Sequence, residues 1–411
     1  MIIIGILFFI FGFVTWLNGS LIPFLKLLLT LSDFEALFVT FAFYIAYTVM
    51  ALPMASIMER TGYKKGMSLG LAIMSVGSLL FIPAALYAEF SLFLVALFTL
   101  GTGLTLLQTA SNPYIVLLGP IESAAMRISI MGLINKSAGV LAPLVFTALI
   151  FSDMGSIESY TDASLSTLAN KLILPYSLMA FALGGLALFV HFSSLKELDF
   201  EEDAYDKGSI FAIPRVVLGA LALFFYVGIE VIAGDTIGLY AQSIGVEGAT
   251  ALTSYTMVFM VIAYLAGVVF IPRYLSQERA LILSTLFGSL FLLGVAFSST
   301  VSHSISEILW GWSGIMTLPN SVTFVALLGL SNALVWPTIW PLALENLGKH
   351  TAKASALLIM AIAGGAVLPL AFGKIAELSG SMQSTYLYGI IAYGVILFYA
   401  LKGHKIQKWS K

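Results

Sequence analysis

Long apolar stretches, separated by short charged or turn-forming segments, recur along the whole chain of 411 residues. A helix needs about 20 apolar residues to cross the hydrocarbon core of a bilayer, and a longer stretch crosses it with a tilt. The chain is therefore predicted to be an all-α integral membrane protein with twelve transmembrane helices. These stretches lie at 2–29, 34–58, 67–87, 91–118, 127–152, 170–195, 211–243, 249–271, 280–299, 319–346, 352–377 and 384–402.

The composition agrees with this prediction and excludes several classes of function. Hydrophobic residues make up 60% of the chain and charged residues 10%, whereas soluble domains carry about 25% charged residues. The net charge of −2 offers no basic surface for nucleic acid. The chain has no cysteine and four histidines, none of them in an HxxxH or HExxH arrangement, so we expect no thiol chemistry, no thiolate- or histidine-based metal site and no cofactor. An intramembrane enzyme would need a nucleophile–base pair or metal ligands at depth, and no such set is found.

Basic residues are distributed unevenly between the two predicted sides of the membrane. Fifteen of the 19 fall on one side, three fall on the other, and Lys136 lies within a span. Cytoplasmic loops carry the excess of Lys and Arg, so both termini are predicted to be cytoplasmic. The richer side has Arg60, Lys64, Lys65, Arg127, Lys196, Lys207, Arg215, Arg273, Arg279, Lys349, Lys353, Lys402, Lys405, Lys408 and Lys411, and the poorer side has Lys26, Lys171 and Lys374.

The long charged run LKELDFEEDAYDKGS at 195–209 lies in the middle of the chain. It separates two halves of about six helices each. We predict an N-terminal bundle over 1–195, a cytoplasmic linker over 196–210 and a C-terminal bundle over 211–411.

Two short patterns recur in both halves and indicate an internal duplication. The first pattern is a proline followed by six residues and then an arginine. It occurs at Pro53–Arg60 and again at Pro272–Arg279, in turns that are topologically equivalent. GVLAPLVF at 139–146 recurs as GAVLPLAF at 365–372. Repeats of this kind build transporters in which two bundles move around a site near the middle of the membrane.

Three segments resemble the fucose–galactose–glucose:cation symporters of the major facilitator superfamily. They are FGFVTWLNGSLIPFLK at 11–26, LLQTASNPYIVLLGP at 106–120 and NALVWPTIWPLALENLGKHT at 332–351. TGYKKG at 61–66 resembles the end of that superfamily's loop between helices 2 and 3. The resemblance implies two pseudo-symmetric six-helix bundles, cation-driven uptake of a hexose, a monomer and a multi-pass location in the inner membrane.

Two positions depart from the family pattern. Gly19 stands where the family has an aspartate in helix 1, and Gln108 stands where the fucose/proton members have a glutamate. Neither residue can carry a proton, and glutamine at the second position is usual in the glucose/galactose branch. The resemblance therefore favours glucose or galactose as the substrate, with Na⁺ rather than H⁺ as the predicted co-transported ion.

Three ionisable residues lie within predicted spans, where an uncompensated charge costs several kcal/mol. Glu230 is predicted either to bind sugar hydroxyls or a cation, or to be a buried acid bonded to a neighbouring polar side chain. Asp235 follows Gly234, and with Gly238 this glycine is expected to loosen the helix and free carbonyls for sodium; a snorkelling acid is the alternative. Lys136 is predicted to alter ion coupling by neutralising a site acid, to form a structural ion pair, or to hold an anionic sugar.

Neutral polar and aromatic residues supply the remaining candidates for sugar binding, because amides bond hydroxyl pairs and indoles cover the apolar face of a pyranose. Gln108 and Asn112 share one helix face. For the asparagines of the first half, hydrogen bonding between helices is an equal alternative. The full set is Asn18, Gln108, Asn112, Asn135, Glu230, Asn332, Trp336 and Trp340.

Arg60, Lys64 and Lys65 are predicted to latch the cytoplasmic side in one conformational state, and a purely topological role is the alternative. The sequence as a whole predicts a sugar importer that works by alternating access. N-acetylglucosamine as substrate, proton coupling, or export of small metabolites by a carrier of the same superfamily are the alternatives.

Overall fold

The computed structural model describes residues 2–117, 124–151, 168–195, 210–271, 274–345, 347 and 351–409. The structure is helical, and within these residues twelve helical segments are long and apolar enough to cross a membrane. The predicted fold class is thereby confirmed. The predicted linker lies outside the described residues except for residue 210.

We number the twelve membrane-crossing segments along the chain as spans 1 to 12. They comprise Ile2–Trp16 with Asn18–Leu29, Phe38–Thr61, Tyr63–Tyr87, Phe90–Leu117, Ala124–Phe151, Ile173–Phe192, Pro214–Ser243, Thr253–Phe270, Gln277–Phe297, Asn320–Asn332 with Val335–Leu344, Thr351–Met360 with Gly364–Ser379, and Met382–Thr385 with Gly389–Leu401.

The chain divides into two compact units, Met1–Glu202 and Asp203–Lys411. In the first unit the most extensive helix pairings are span 1 with 5, 2 with 4, 3 with 4 and 3 with 6. In the second unit span 7 pairs with 11, 8 with 10, 9 with 10 and 9 with 12. Each pairing in the first unit thus has its equivalent six spans later, as expected for the predicted duplication.

Glycines at matching positions hold these helices close together. In span 4, a Cβ on Gly101 would overlap the carbonyl oxygen of Phe43 in span 2. In span 10, a Cβ on Gly329 would overlap the carbonyl oxygen of Thr256 in span 8. Small residues allow this approach, which gains van der Waals contact where lipid provides no hydrophobic driving force. The same crossing is therefore built in the same way in both units.

Span 10 is divided into two helices at Ala333 and Leu334. Pro337 accounts for the break, because proline provides no N–H and its ring clashes with the carbonyl of the residue four positions earlier, here Ala333. The kink that the prolines of this span predict is thus found one turn before Pro337. In contrast, span 4 runs through Pro113 as one helix.

Candidate functional site

Gln108 of span 4 is half-buried and forms a hydrogen bond within the first unit. Its Nε2 donates to the hydroxyl of Tyr47 in span 2 at 2.9 Å. Tyr47 is 2% exposed and stacks against Tyr44, with ring centres 6.2 Å apart. The amide is therefore anchored by a buried tyrosine. The side chain of Asn112, the predicted partner of Gln108 on this face, lies outside the described residues.

Span 1 is interrupted at Leu17, and the residues on either side of the break are buried. Trp16 and Asn18 are each 2% exposed. Within the part of the chain that the structure describes, neither the indole N–H of Trp16 nor the amide N–H group of Asn18 meets a hydrogen-bond acceptor. A buried donor without an acceptor costs about 1–3 kcal/mol, so both groups are suited to an oxygen-bearing ligand.

Asn135 lies at the tight crossing of spans 1 and 5. A Cβ on Gly12 would overlap the Asn135 carbonyl oxygen, and the Asn135 amide donates to the carbonyl of Phe8 at 3.4 Å. This long hydrogen bond joins the two helices. It agrees with the alternative assignment of Asn135 to helix–helix bonding.

Lys136 is 7% exposed and packs on an aromatic ring. Its Nζ lies 4.4 Å from the ring centre of Trp16. A desolvated cation–π contact of this kind contributes about 2 kcal/mol. The contact agrees with a structural role for this lysine within the first unit, and Trp16 is a partner that the sequence did not single out.

Glu230 of span 7 is 7% exposed and lies among tyrosines of the second unit. The hydroxyl of Tyr226 forms a hydrogen bond with its carboxyl group, and the hydroxyls of Tyr264 and Tyr393 lie close enough to interact electrostatically with it. Tyr226 precedes Glu230 by one helical turn, so the sequence carried a signal for this pair. Tyr264 and Tyr393 come from spans 8 and 12, and no sequence pattern links them to Glu230.

Asn332 and Trp336 lie on either side of the break in span 10. Asn332 is fully buried, and its Oδ1 accepts from the Tyr393 hydroxyl at 2.7 Å. Its Nδ2 has no hydrogen-bond partner among the described residues. Tyr393 therefore connects the amide of Asn332 to Glu230.

Two aromatic contacts connect the indoles of span 10 to the tyrosine that bonds Glu230. The ring centres of Trp336 and Trp340 are 5.5 Å apart, and that of Trp336 is 6.3 Å from Tyr226, the residue that bonds Glu230. The Trp340 indole N–H has no acceptor within the described residues. The second unit thus brings together a carboxylate, a primary amide and two indoles, the predicted groups for binding a sugar.

Asp235 is fully buried and lies apart from this group. Five residues place it about 7.5 Å along the helix from Glu230 and about 140° around it. The expected loosening is wrong, because Pro214–Ser243 is one uninterrupted helix through Gly234 and Gly238. The Gly234 carbonyl accepts a hydrogen bond from Thr253 Oγ1 at 2.7 Å. No described residues form a group of three or more His, Cys, Asp or Glu that could hold a metal ion.

The latch residues lie at the end of span 2 and the start of span 3. Lys64 donates to the carbonyl of Ser193 at the C-terminal end of span 6 at 2.7 Å, a position where a cation is favoured by the helix dipole. Arg60 and Lys65 are exposed. The Lys64 bond lies within the first unit, and the latch itself stays a prediction.

Twelve spans in two units, with ionisable and amide side chains buried among them, define a polytopic membrane transporter. The protein-family model described as the Major Facilitator Superfamily matches residues 4–369 of this chain. The chain is 35% identical over 97% of its length to the glucose/galactose transporter of Brucella abortus biovar 1 (strain 9-941), of which 93% is covered. It is 27% identical over 96% of its length to the L-fucose-proton symporter of Escherichia coli (strain K12), of which 90% is covered.

Among solved structures, the crystal structure of the E. coli fucose:proton symporter matches with a TM-score of 0.71 and 25% identity over 97% of each chain. The chain belongs to the Major Facilitator Superfamily, and its resemblance to the fucose–galactose–glucose symporters is confirmed. It is a transporter rather than an enzyme, and a multi-pass protein of the bacterial inner membrane.

Proposed function

We propose that this chain imports a hexose of the glucose/galactose type together with a cation. The observation that carries the proposal is the group formed in the second unit by Glu230, Asn332, Trp336 and Trp340. The 35% identity to a protein named glucose/galactose transporter supports the choice of sugar.

The chemistry of this group suits a pyranose. The carboxylate of Glu230 accepts from sugar hydroxyls, and the Asn332 amide N–H group, which lacks a partner among the described residues, donates to them. The indole of Trp336 covers the apolar C–H face of the ring, and an indole N–H adds a further donor. A cavity for apolar drugs would not need so many directional groups.

Gln108, Asn18, Asn112 and Asn135 are the sugar ligands that we propose within the first unit. The amide N–H group of Asn18, which meets no acceptor among the described residues, supports its assignment, whereas the Asn135 bond to the Phe8 carbonyl favours a role in helix packing. Gln108, anchored by Tyr47, is proposed to bond a sugar hydroxyl and to carry no proton.

Sodium is the coupling ion we propose, and Asp235 is its proposed ligand. Gly19 and Gln108 cannot titrate, which removes two proton carriers from the first unit. Sodium binds oxygen ligands, and threonine hydroxyls surround the carbonyls beside Asp235. Lys136 is the third coupling candidate, although its contact with Trp16 supports a structural role.

Proton coupling through Glu230 is the second candidate mechanism. It is favoured by relatives named L-fucose-proton symporter, at 27% and 28% identity. It is also favoured by the position of Glu230, a carboxyl group buried within a membrane-crossing helix, because ionisable groups at such depth commonly mark proton or ion pathways.

Transport is proposed to proceed by alternating access, with sugar and cation bound together in one cavity. Coupling requires that the empty and fully loaded carrier change conformation while the half-loaded carrier does not. Arg60, Lys64 and Lys65 are proposed to hold the cytoplasmic side in one state, and both termini are proposed to lie in the cytoplasm. The working unit is proposed to be the monomer.

Uptake of labelled galactose and glucose into proteoliposomes tests the proposal. A sodium gradient is imposed at constant pH, and a pH gradient is imposed separately without sodium. Accumulation with sodium alone supports the sodium mechanism, and accumulation with the pH gradient alone supports Glu230 as the proton carrier. Uptake of N-acetylglucosamine but of neither hexose would identify N-acetylglucosamine as the substrate. Net movement of sugar out of the vesicles against its gradient would favour an exporter.

A further inference from the structure

The segment between spans 9 and 10 presents large apolar side chains outside the membrane-crossing helices. We refer to residues 298–319 as the 9–10 segment. It contains one acid, Glu307, and no lysine or arginine. Val301 is 81% exposed, Ile308 80% and Trp312 84%. Water-exposed loops rarely present tryptophan and isoleucine in this way, so the environment of the segment requires an explanation.

The segment is folded by its own hydrogen bonds. A helix runs over Ser304–Trp310, followed by a 3-10 turn over Gly311–Ser313. Ser306 Oγ bonds both the carbonyl and the amide of Leu318, at 2.7 and 2.9 Å. Trp310 Nε1 donates to the carbonyl of Met316 at 3.1 Å. Such internal satisfaction of polar groups is what an element needs when it lies against lipid rather than water.

Aromatic contacts fix the depth of the segment. The ring of Trp310 lies 5.7 Å from that of Tyr255 and 5.9 Å from that of Phe259. Span 8 begins at Thr253, so Phe259 lies about 9 Å along the helix axis from that end. The segment therefore lies beside the first two turns of span 8 and not above them.

Glu307, the one acid of the short helix, lies on a different face from its exposed apolar residues. Successive residues are about 100° apart, so Glu307 lies about 100° from Ile308 and about 160° from Leu309. It forms the polar edge of this helix. Exposed apolar residues are also found on span 9, among them Leu290 at 57% and Phe297 at 78%.

We propose that the 9–10 segment lies in the interface of the bilayer on the face opposite the termini, with Ile308, Leu309 and Trp312 in contact with lipid. Amphipathic helices bury their apolar face about 5–10 Å into the boundary between headgroups and acyl chains, and tryptophan is enriched at this depth. The position of the segment beside the first two turns of span 8, together with its lack of lysine and arginine, identifies lipid as the occupant.

This anchor is connected directly to the helix that carries the candidate site. Asn320, the first residue of span 10, accepts from the Ile305 amide at 3.0 Å and donates to Ser304 Oγ at 3.1 Å. The segment thereby holds the outer end of span 10 at a fixed depth. The interfacial position of the segment does not depend on the proposed sugar or its coupling ion, and neither is needed to test it.

Depth-dependent fluorescence quenching tests the proposal, and the cysteine-free chain provides a clean background. Ile308→Cys and Trp312→Cys are labelled with bimane and reconstituted into phosphatidylcholine vesicles. The quenchers are a lipid with a doxyl group near the start of its acyl chain and aqueous iodide. We expect a loss of fluorescence with the doxyl lipid, protection from iodide and a blue-shifted emission.

Three further positions provide the references. Glu307→Cys is the matched control on the polar edge of the same helix, and Glu247→Cys reports an exposed turn on the same side of the membrane. Leu290→Cys reports the lipid-facing surface of span 9. We expect iodide quenching at residues 307 and 247 and lipid quenching at 290.

Iodide quenching at residues 308 and 312 equal to that at 247 would overturn the proposal and leave a protein partner as the occupant of this surface. Quenching by both agents at these two positions would also contradict burial in the interface. A monodisperse elution profile and an unchanged thermal midpoint verify that each variant is folded. Ile315→Cys, at a position 55% exposed, replaces any variant that fails this check.

Discussion

Replacing Glu230 with glutamine tests the carboxylate at the centre of the candidate site without disturbing its packing. Glutamine has nearly the same shape, and its carbonyl oxygen can still accept from Tyr226. The surrounding tyrosines of spans 8 and 12 therefore retain their positions. What the substitution removes is the negative charge and one acceptor oxygen that we assign to the sugar hydroxyls.

The expected loss of sugar affinity follows from the difference in strength between charged and neutral hydrogen bonds. A hydrogen bond to a charged group contributes about 1.5–3 kcal/mol and a neutral one about 0.5–1.5 kcal/mol. The loss of about 1–1.5 kcal/mol corresponds to a roughly five- to tenfold weaker Kd for sugar, at 1.4 kcal/mol per factor of ten. Glu230→Ala removes the whole interaction, and about 1.5–3 kcal/mol corresponds to a roughly ten- to hundredfold loss.

The assay is calorimetric titration of galactose into purified protein, with thermal unfolding as the check on folding. Glu247→Gln, in an exposed turn of the same unit, is the matched control and should bind as the wild type does. Counterflow exchange in proteoliposomes adds a second readout. If Glu230 carries the proton, Glu230→Gln exchanges sugar but no longer accumulates it. Wild-type affinity in folded Glu230→Ala would refute the assignment of Glu230 to the site.

Four further predictions concern binding, coupling and packing. Trp336→Ala should weaken sugar binding by about 2 kcal/mol, or roughly 30-fold in Kd, and titration showing full affinity would exclude stacking on this indole. Asp235→Asn should weaken sodium dependence before it affects sugar affinity, so an unchanged sodium dependence of uptake would argue against a sodium site there. Lys136→Met should lower the free energy of unfolding by about 1–2 kcal/mol through loss of the cation–π contact and leave coupling intact; altered cation dependence would contradict this. Gly12→Ala should lower the thermal midpoint, because the new Cβ meets a carbonyl of span 5. Gly185→Ala, whose Cβ has no described atom within 4 Å, should leave the midpoint unchanged. Equal midpoints for the two variants would contradict the close crossing.

The number and type of the spans could be predicted from the sequence because lipid imposes a local rule. Each crossing segment must satisfy its own backbone hydrogen bonds and present apolar side chains over about 20 residues. Both conditions can be judged within a short window of sequence. The recurrence of matching motifs in the two halves likewise predicted two equivalent bundles, and the matching helix pairings agree with that prediction.

The candidate site was predicted only in part, and the residues that the sequence did not reveal were missed for physical reasons. Glu230, Asn332 and Trp336 were selected because polar groups are rare and costly in a span, which is a property of each residue alone. Tyr264 and Tyr393 were missed because tyrosines in spans 8 and 12 reach Glu230 only through helix packing. Trp16 was missed for the same reason, since its contact with Lys136 joins spans 1 and 5.

The sequence by itself therefore determined the helical class, the number of crossings, the duplication and the family, all of which depend on local hydrophobicity or on motif spacing. Only the tertiary structure decided which buried polar groups meet. It also decided that span 7 stays intact through its glycines. These outcomes depend on contacts between helices far apart in the chain, where the depth and rotation of each helix are set by its neighbours and not by its own residues.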